Sequence, residues 1–258
     1  MTAFVPAGPE RQVQHLGSAS VGGASVATII VMSAVVTTLA FIPFSVVLST
    51  GGSMPMSQGV FPLVGWLLGP VAGSVACAIG SLVGVFMAPH TAGIAVLSVG
   101  GAAVAALSAG TMAGRATLRL GLVVAFVVAL AWYATSAALH HGVRPAVVLA
   151  GAFVDWSSIL LFVLPTRRLC VRWIGATQLS RVAAGLFLGT WMISGVTHVC
   201  QAAISYTLFH WPEPVWITLI PIIPIENLAR SLIGAVIGTG VISGLRAIGL
   251  LRPREAIY

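Results

Sequence analysis

A stretch of 103 consecutive residues, from Gln12 to Gly114, contains no aspartate, glutamate, lysine or arginine. The rest of the chain is similar, since charged residues make up 7% of the sequence, apolar residues 58%, and the mean hydropathy is +1.06. A water-facing surface of that size needs formal charge, because charged side chains keep soluble domains dispersed. The charge-free stretch is therefore expected to lie in lipid.

The apolar segments have the length of membrane-crossing helices, which need about 20 residues each. They lie at 22–44, 59–89, 91–112, 118–139, 145–166, 182–208 and 215–245. This pattern predicts an all-α, polytopic transmembrane helix bundle of about eight spans, or seven if 59–89 is one kinked helix. The expected organisation is a cytoplasmic tail at 1–20, one transmembrane bundle at 21–248 and a second cytoplasmic tail at 249–258, in a multi-pass protein of the cell (inner) membrane.

The segment 59–89 and the arginines together determine the predicted topology. Gly69-Pro70 interrupts the segment and favours a turn between two helices. With two helices there, ten arginines fall on the side of both termini, Arg144 falls opposite, and Arg230 falls within the membrane. Because arginine-rich loops stay in the cytoplasm, this asymmetry predicts a cytoplasmic C-terminus. A single kinked helix with an outside N-terminus also satisfies the pattern and misplaces only Arg11.

Two stretches of the chain are similar to parts of a known family. The segment from Phe61 to Gly84 combines a short apolar helix, a Gly-Pro turn and a glycine-rich helix. The segment Pro224–Ile242 follows a proline-rich stretch, and His198 lies near the outer end of the penultimate helix. These features resemble the substrate-binding S-component of energy-coupling factor (ECF) vitamin transporters. The resemblance implies a subunit that binds a small, vitamin-like molecule and works with a transmembrane coupling subunit and separate ATPase subunits.

Three charged residues fall within predicted spans, namely Asp155, Glu226 and Arg230. A charge at the centre of a bilayer costs about 2.5–3.5 kcal/mol, so each is expected to face the interior and to have a partner. Glu226 and Arg230 lie four residues apart on one helix face, with Asn227 alongside. They form either a structural pair or a site in which Glu226 and Asn227 bind a ligand while Arg230 holds the carboxylate. Asp155 could pair with Arg230 or His198, or be neutral and serve a proton-coupled carrier.

The penultimate helix carries a stripe at 3-4-3-4 spacing, formed by Trp191, Ser194, His198, Gln201 and Ser205. Residues at this spacing share one helix face, so the stripe either holds helices together or lines a cavity. A histidine and a glutamine beside an aromatic ring suit a small heteroaromatic ligand. Together with the polar residues of the neighbouring spans, this stripe is the predicted substrate-binding site, beneath an outer loop at Ser45–Gln58.

Small residues predict where helices approach closely, since they bring backbones together in lipid. One such stripe runs along the segment 71–88 and consists of Gly73, Cys77, Gly80 and Gly84. This stripe and the helix 22–44 are predicted to dock the transmembrane partner, with internal packing as the alternative. Trp211 and Trp216 are expected either to anchor the chain at the membrane interface or to cover a pocket.

The sequence contains no P-loop, no H-E-x-x-H and no C-x-x-C motif. We therefore expect no enzymatic activity, no cofactor and no metal site, and energy for transport has to come from the ATPase partner. The charge of +7 comes from arginines dispersed through short loops, so no nucleic-acid partner is predicted. The expected partners are a small-molecule ligand, the lipid bilayer and the coupling and ATPase subunits. A structural or accessory subunit of a larger membrane complex, and a membrane sensor, remain as alternative functions.

Overall fold

The computed structural model describes residues 19–46, 53–91, 94–249 and 252–258, and it is 79% helical. The described residues form ten α-helices: α1 (Val26–Ala40), α2 (Phe61–Leu68), α3 (Pro70–Met87), α4 (Ala95–Gly110), α5 (Ala116–Leu139), α6 (Pro145–Gly151), α7 (Phe153–Val163), α8 (Thr166–Ile174), α9 (Leu179–Leu208) and α10 (Glu213–Ala247). The predicted all-α helical bundle is confirmed.

Two short antiparallel hairpins accompany the helices. Strands β1 (Ser20–Val21) and β2 (Ala24–Ser25) precede α1, and β3 (Pro43–Val46) pairs with β4 (Ser53–Pro55) after it. A 3₁₀ turn at Met56–Gly59 then leads into α2. The predicted outer loop at Ser45–Gln58 is therefore largely a hairpin and a helical turn in its described part, while residues 47–52 lie outside the described residues.

The segment 59–89 contains two helices, as the two-helix interpretation predicted. Gly69 separates α2 from α3 with φ 84°, a left-handed backbone that favours glycine, and Pro70 opens α3 at a position where its missing N–H costs nothing. A Cβ on Gly69 would lie 2.7 Å from Glu255 Cβ, so the turn is also packed tightly. Conformation and space both require glycine at this position.

The predicted single segment 145–166 is broken. Helices α6 and α7 meet at Ala152 with a bend of 60°, and the separate helix α8 follows after Pro165. The indole of Trp216 lies against Gly151, where a Cβ would come within 3.0 Å of the ring. Sequence analysis missed both the bend and α8, and the bend lies beside this contact with a residue far away in the chain.

In the part of the chain that the structure describes, four helices are long and apolar enough to cross a membrane, namely α3, α5, α9 and α10. The bent pair α6–α7 makes a fifth if it is one span, while α1 and α4 are apolar but shorter. Several long apolar helices are the signature of a membrane protein. The predicted count of eight spans stays a prediction.

Helix α9 forms the centre of the bundle and contacts α10, α8, α7, α5 and α4. In the most apolar 18-residue stretch of α9, 67% of the residues are buried, compared with 22% in the corresponding stretch of α5. The outer surface of α5 instead exposes large apolar side chains, including Leu120, Val128 and Trp132. An apolar exterior of this kind is stable in lipid and would associate in water.

The arginines collect at one end of the bundle. Arg115 pairs with Glu255 at 2.7 Å, and Arg246 donates to the carbonyls of Ala176 and Ile174 in the α8–α9 connection. Gly23 lies against Arg254, so the described N-terminal residues reach this same end. At the opposite end, the backbone and side chain of Arg144 bind Glu213, which raises the pKa of the Arg144 guanidinium.

The small-residue stripe of α3 is covered from inside the chain. Ser33 and Thr37 of α1 donate to the carbonyls of Ala76 and Gly80 at 3.0 and 3.1 Å. The remaining glycines of the stripe face α2 and α1, since Cβ atoms there would lie 2.7–2.8 Å from Gly65 and Ala40. The prediction that this stripe docks a partner is wrong, because α1 and α2 already occupy it.

Candidate functional site

The polar centre of the bundle is the pair Glu226–Arg230 on α10. Arg230 Nη2 lies 3.5 Å from Glu226 Oε2, and their side chains are 6% and 10% exposed. Pro221 and Pro224 precede the pair and remove two backbone donors from the helix interior. The predicted i, i+4 ion pair is therefore present, in a nearly water-free environment where each charge depends on its partners.

The β3–β4 hairpin and the 3₁₀ turn close over this pair. Ser45 Oγ donates to Glu226 Oε1 at 2.5 Å, while Arg230 donates from Nε to Gln58 Oε1 at 2.9 Å and from Nη2 to Met54 Sδ at 2.7 Å. The guanidinium also lies over the ring of Phe44, 5.9 Å from its centroid. The segment that sequence analysis placed as an outer loop thus supplies most of the pair's partners.

A small cavity lies directly beside Arg230. Its polar lining comes from Gln58, Ser194, Thr197, Gln201 and Arg230, and its water-accessible volume is about 20 Å³. Such a volume accommodates one or two water molecules. The structure therefore brings Ser194 and Gln201 of the predicted α9 stripe together with Arg230, around a void much smaller than a vitamin.

Other predicted residues contribute to helix packing around this cavity. Gln201 Nε2 donates to the carbonyl of Leu97 on α4, and Asn227 Nδ2 donates to the carbonyl of Trp191, both at 3.0 Å. Asn227 Oδ1 is buried and has no hydrogen-bond partner among the described residues. Trp191 is partly buried against the apolar core, and Ser205 is half-buried further along α9.

A second polar cluster surrounds Asp155 on α7. His198 Nδ1 lies 2.7 Å from Asp155 Oδ1, and the hydroxyl of Tyr133 on α5 donates to Asp155 Oδ2. Of the partners predicted for Asp155, the structure supplies His198. The hydrogen bond to His198 also means that this histidine faces α7, whereas Ser194 and Gln201 face the cavity.

Aromatic rings enclose the Asp155 cluster. Tyr206 contacts the rings of Tyr133, Trp216 and Trp211 with centroid distances of 5.4, 4.9 and 5.2 Å. Trp211 and Trp216 are 8% and 1% exposed, so the prediction of interface anchors is wrong. Sequence analysis also missed Tyr133, although a tyrosine within an apolar span is itself a signal, because a buried hydroxyl needs a partner.

Across the described ranges, no three His, Cys, Asp or Glu side chains lie close enough together to hold a metal ion.

No protein-family model, curated protein or solved structure matches this chain.

Proposed function

We propose that this protein is the membrane-embedded substrate-binding subunit of an uptake transporter for a small, vitamin-like molecule. The resemblance of Phe61–Gly84 and Pro224–Ile242 to ECF S-components supports this assignment. The observation that carries it is the buried Glu226–Arg230 pair, which two side chains of the β3–β4 hairpin cover.

The partners of the pair suggest how a ligand would bind. A thioether is a weak hydrogen-bond acceptor, so Met54 satisfies the Arg230 guanidinium poorly compared with a carboxylate or carbonyl oxygen. Ser45 occupies Glu226 with a single hydroxyl donor. A molecule that offers an acceptor to Arg230 and a donor to Glu226 would replace both contacts with stronger ones.

The cavity beside Arg230 is too small for a vitamin-like ligand. At about 20 Å³ it holds water only, so a ligand has to displace Ser45 and Met54 and separate Gln58 from Arg230. Gln201 and Ser194 then form the floor of the enlarged site and provide further polar contacts. In this proposal the β3–β4 hairpin has to move away from Arg230 for the ligand to enter.

The proposed transporter also needs an orientation in the membrane and a source of energy. We place the chain as a multi-pass protein of the cell membrane with its arginine-rich end in the cytoplasm, so that the β3–β4 hairpin faces outward. The chain carries no P-loop, and transport would therefore draw on a transmembrane coupling subunit and separate ATPase subunits.

The test begins with purification from native membranes and identification of the co-purified small molecule by mass spectrometry. Binding of that molecule is then measured for Glu226→Gln and Arg230→Gln. Each variant removes a charged group that contacts the ligand in this proposal, so we expect a loss of about 2–5 kcal/mol in binding free energy. Glu213→Gln is the matched control, because it breaks an exposed Glu–Arg pair at the start of the same helix. Unchanged binding in both site variants would reject the proposed site.

A structural or accessory subunit is the second candidate. It is favoured by the Asp155 cluster, whose polar groups bind each other across α5, α7 and α9 and whose aromatic rings fill the surrounding space. This function predicts that no small molecule co-purifies and that the chain elutes with other membrane proteins in a fixed ratio.

A further inference from the structure

A second polar concavity lies at the arginine-rich end of the bundle, far in the fold from the Glu226–Arg230 pair. It is formed where the α4–α5 connection meets α8, and four of its lining residues are Arg115, Arg119, Arg167 and Arg168. Its water-accessible volume is about 400 Å³, and no aspartate or glutamate is among the described residues that line it. The concavity is therefore strongly positive and large enough for a phosphate-bearing group.

The backbone holds two of these guanidinium groups in place. Arg119 donates from Nη1 to the carbonyls of Thr111 and Gly114, and Arg167 donates from Nη1 to the carbonyls of Val163 and Leu164. Each arginine uses one nitrogen for this anchoring. The guanidinium is a rigid fork whose remaining N–H groups match the oxygens of a phosphate.

The positive charge in the concavity is incompletely compensated. Arg115 pairs with Glu255, but Arg167 Nε is buried and has no hydrogen-bond partner among the described residues. Burial, together with the positive charges of Arg119 and Arg168, lowers the pKa of the Arg167 guanidinium. A bound anion would offset this repulsion, because it would supply a compensating negative charge.

The surface around the concavity indicates which kind of anion it suits. Helix α8 buries Cys170 and Ile174 and exposes Arg168 and Arg172, so it is amphipathic and suited to the membrane surface. Leu120 follows Arg119 in α5, and Leu169 follows Arg168 in α8; both leucines are exposed. A ligand with a phosphate and acyl chains fits both parts of this surface.

We propose that this concavity binds the phosphate-bearing headgroup of an anionic phospholipid. Arg119, Arg167 and Arg168 contact the phosphate, and the acyl chains run along the exposed leucines of α5 and α8. This site is independent of the proposed substrate site, so either can be rejected without the other.

Native mass spectrometry of the full chain, exchanged into phosphatidylglycerol or phosphatidylcholine with identical acyl chains, tests the proposal. The wild-type protein is expected to retain phosphatidylglycerol in preference to phosphatidylcholine. In R167Q/R168Q we expect phosphatidylglycerol to bind roughly 30-fold more weakly, as the loss of two arginines near an anionic surface implies. The matched control is R172Q/R181Q, which removes the same charge from two exposed arginines that do not line the concavity.

Equal losses in both double variants, or no loss in either, would overturn the proposal. R167K/R168K keeps both positive charges and is expected to lose severalfold less phosphatidylglycerol binding than R167Q/R168Q. This difference separates the loss of contacts with the phosphate from a folding defect. A competition with millimolar inorganic phosphate distinguishes the two sources of a phosphate group. Persistence of bound phosphatidylglycerol supports the lipid, whereas its displacement by inorganic phosphate rejects the lipid assignment.

Discussion

Asp155 is 1% exposed, yet it is tolerated in the bundle because side chains from two other helices reach its carboxylate. Tyr133 donates to one oxygen and His198 lies within hydrogen-bonding distance of the other. A buried carboxylate without such partners would carry its full desolvation penalty. At the scale of single residues, this cluster therefore connects α5, α7 and α9 through polar contacts.

The Tyr133→Phe variant tests the strength of this connection. It removes the donor while keeping the ring, so we expect a loss of about 1.5–3 kcal/mol in the free energy of unfolding, as for a hydrogen bond to a charged group. Unfolding is followed by circular dichroism during titration with denaturing detergent. Thr207→Val is the control, since it deletes an exposed hydrogen bond from Trp132 Nε1, and a change within about 0.5 kcal/mol is expected there. Equal effects of the two variants would contradict the role of Asp155.

The glycine-rich face of α3 determines how closely helices approach at the scale of elements. Gly80 is the tightest contact with α1, because a Cβ there would lie 2.5 Å from the Ser33 carbonyl oxygen and 2.7 Å from Val36 Cβ. The same approach allows Thr37 to donate to the Gly80 carbonyl. Close packing and the interhelical hydrogen bond thus depend on one missing side chain.

Replacement of Gly80 by alanine is expected to force α1 and α3 apart. Overpacking of this kind typically costs about 1–3 kcal/mol, and the free energy of unfolding should fall accordingly. Gly121→Ala provides the matched control. Gly121 is an exposed residue within α5, and among the described residues no neighbouring atom lies within 4 Å of the added Cβ. There the gain in helix propensity should stabilise the chain by about 0.5–1 kcal/mol. Two variants that shift stability in the same direction would argue against the α1–α3 contact.

At the scale of the whole molecule, charge separates the two ends of the bundle. One end gathers Arg115, Arg167 and Arg246 with the segment 252–258, whose Ile257 N–H donates to the Trp66 carbonyl at 2.8 Å. The other end carries the Arg144–Glu213 pair. Gly23 lies beside Arg254 at the arginine-rich end, so the prediction of a cytoplasmic C-terminus also predicts that the segment around Gly23 lies on the cytoplasmic side.

Cysteine labelling of intact cells with a membrane-impermeant maleimide tests this orientation. His140→Cys is expected to react, whereas Ala113→Cys and Ser20→Cys are expected to react only after the membrane is opened. All three positions are exposed. The wild-type chain gives the background, since its Cys77 and Cys170 are buried and its Cys200 is half-buried. Labelling of Ser20→Cys from outside would instead support seven spans with an outside N-terminus.

Sequence alone was sufficient for the lipid environment, the helical class, the break at Gly69-Pro70 and the Glu226–Arg230 pair. Each of these follows from local quantities. Hydropathy and charge act residue by residue, a Gly-Pro turn acts on its own backbone, and an i, i+4 spacing fixes two side chains on one helix face. Insertion into lipid depends on the same hydropathy and charge, so these local quantities predict the environment of the chain.

Tertiary structure decided which of the polar and small residues meet. Ser45 reaches Glu226 across 181 positions of the chain, and Gln58 reaches Arg230 across 172. His198 separates from Gln201 because α7 and α4 lie on different sides of α9. Trp216 is buried because Gly151 leaves room for its ring. Such contacts depend on the complete packing of the bundle, and no periodicity within a single helix contains that information.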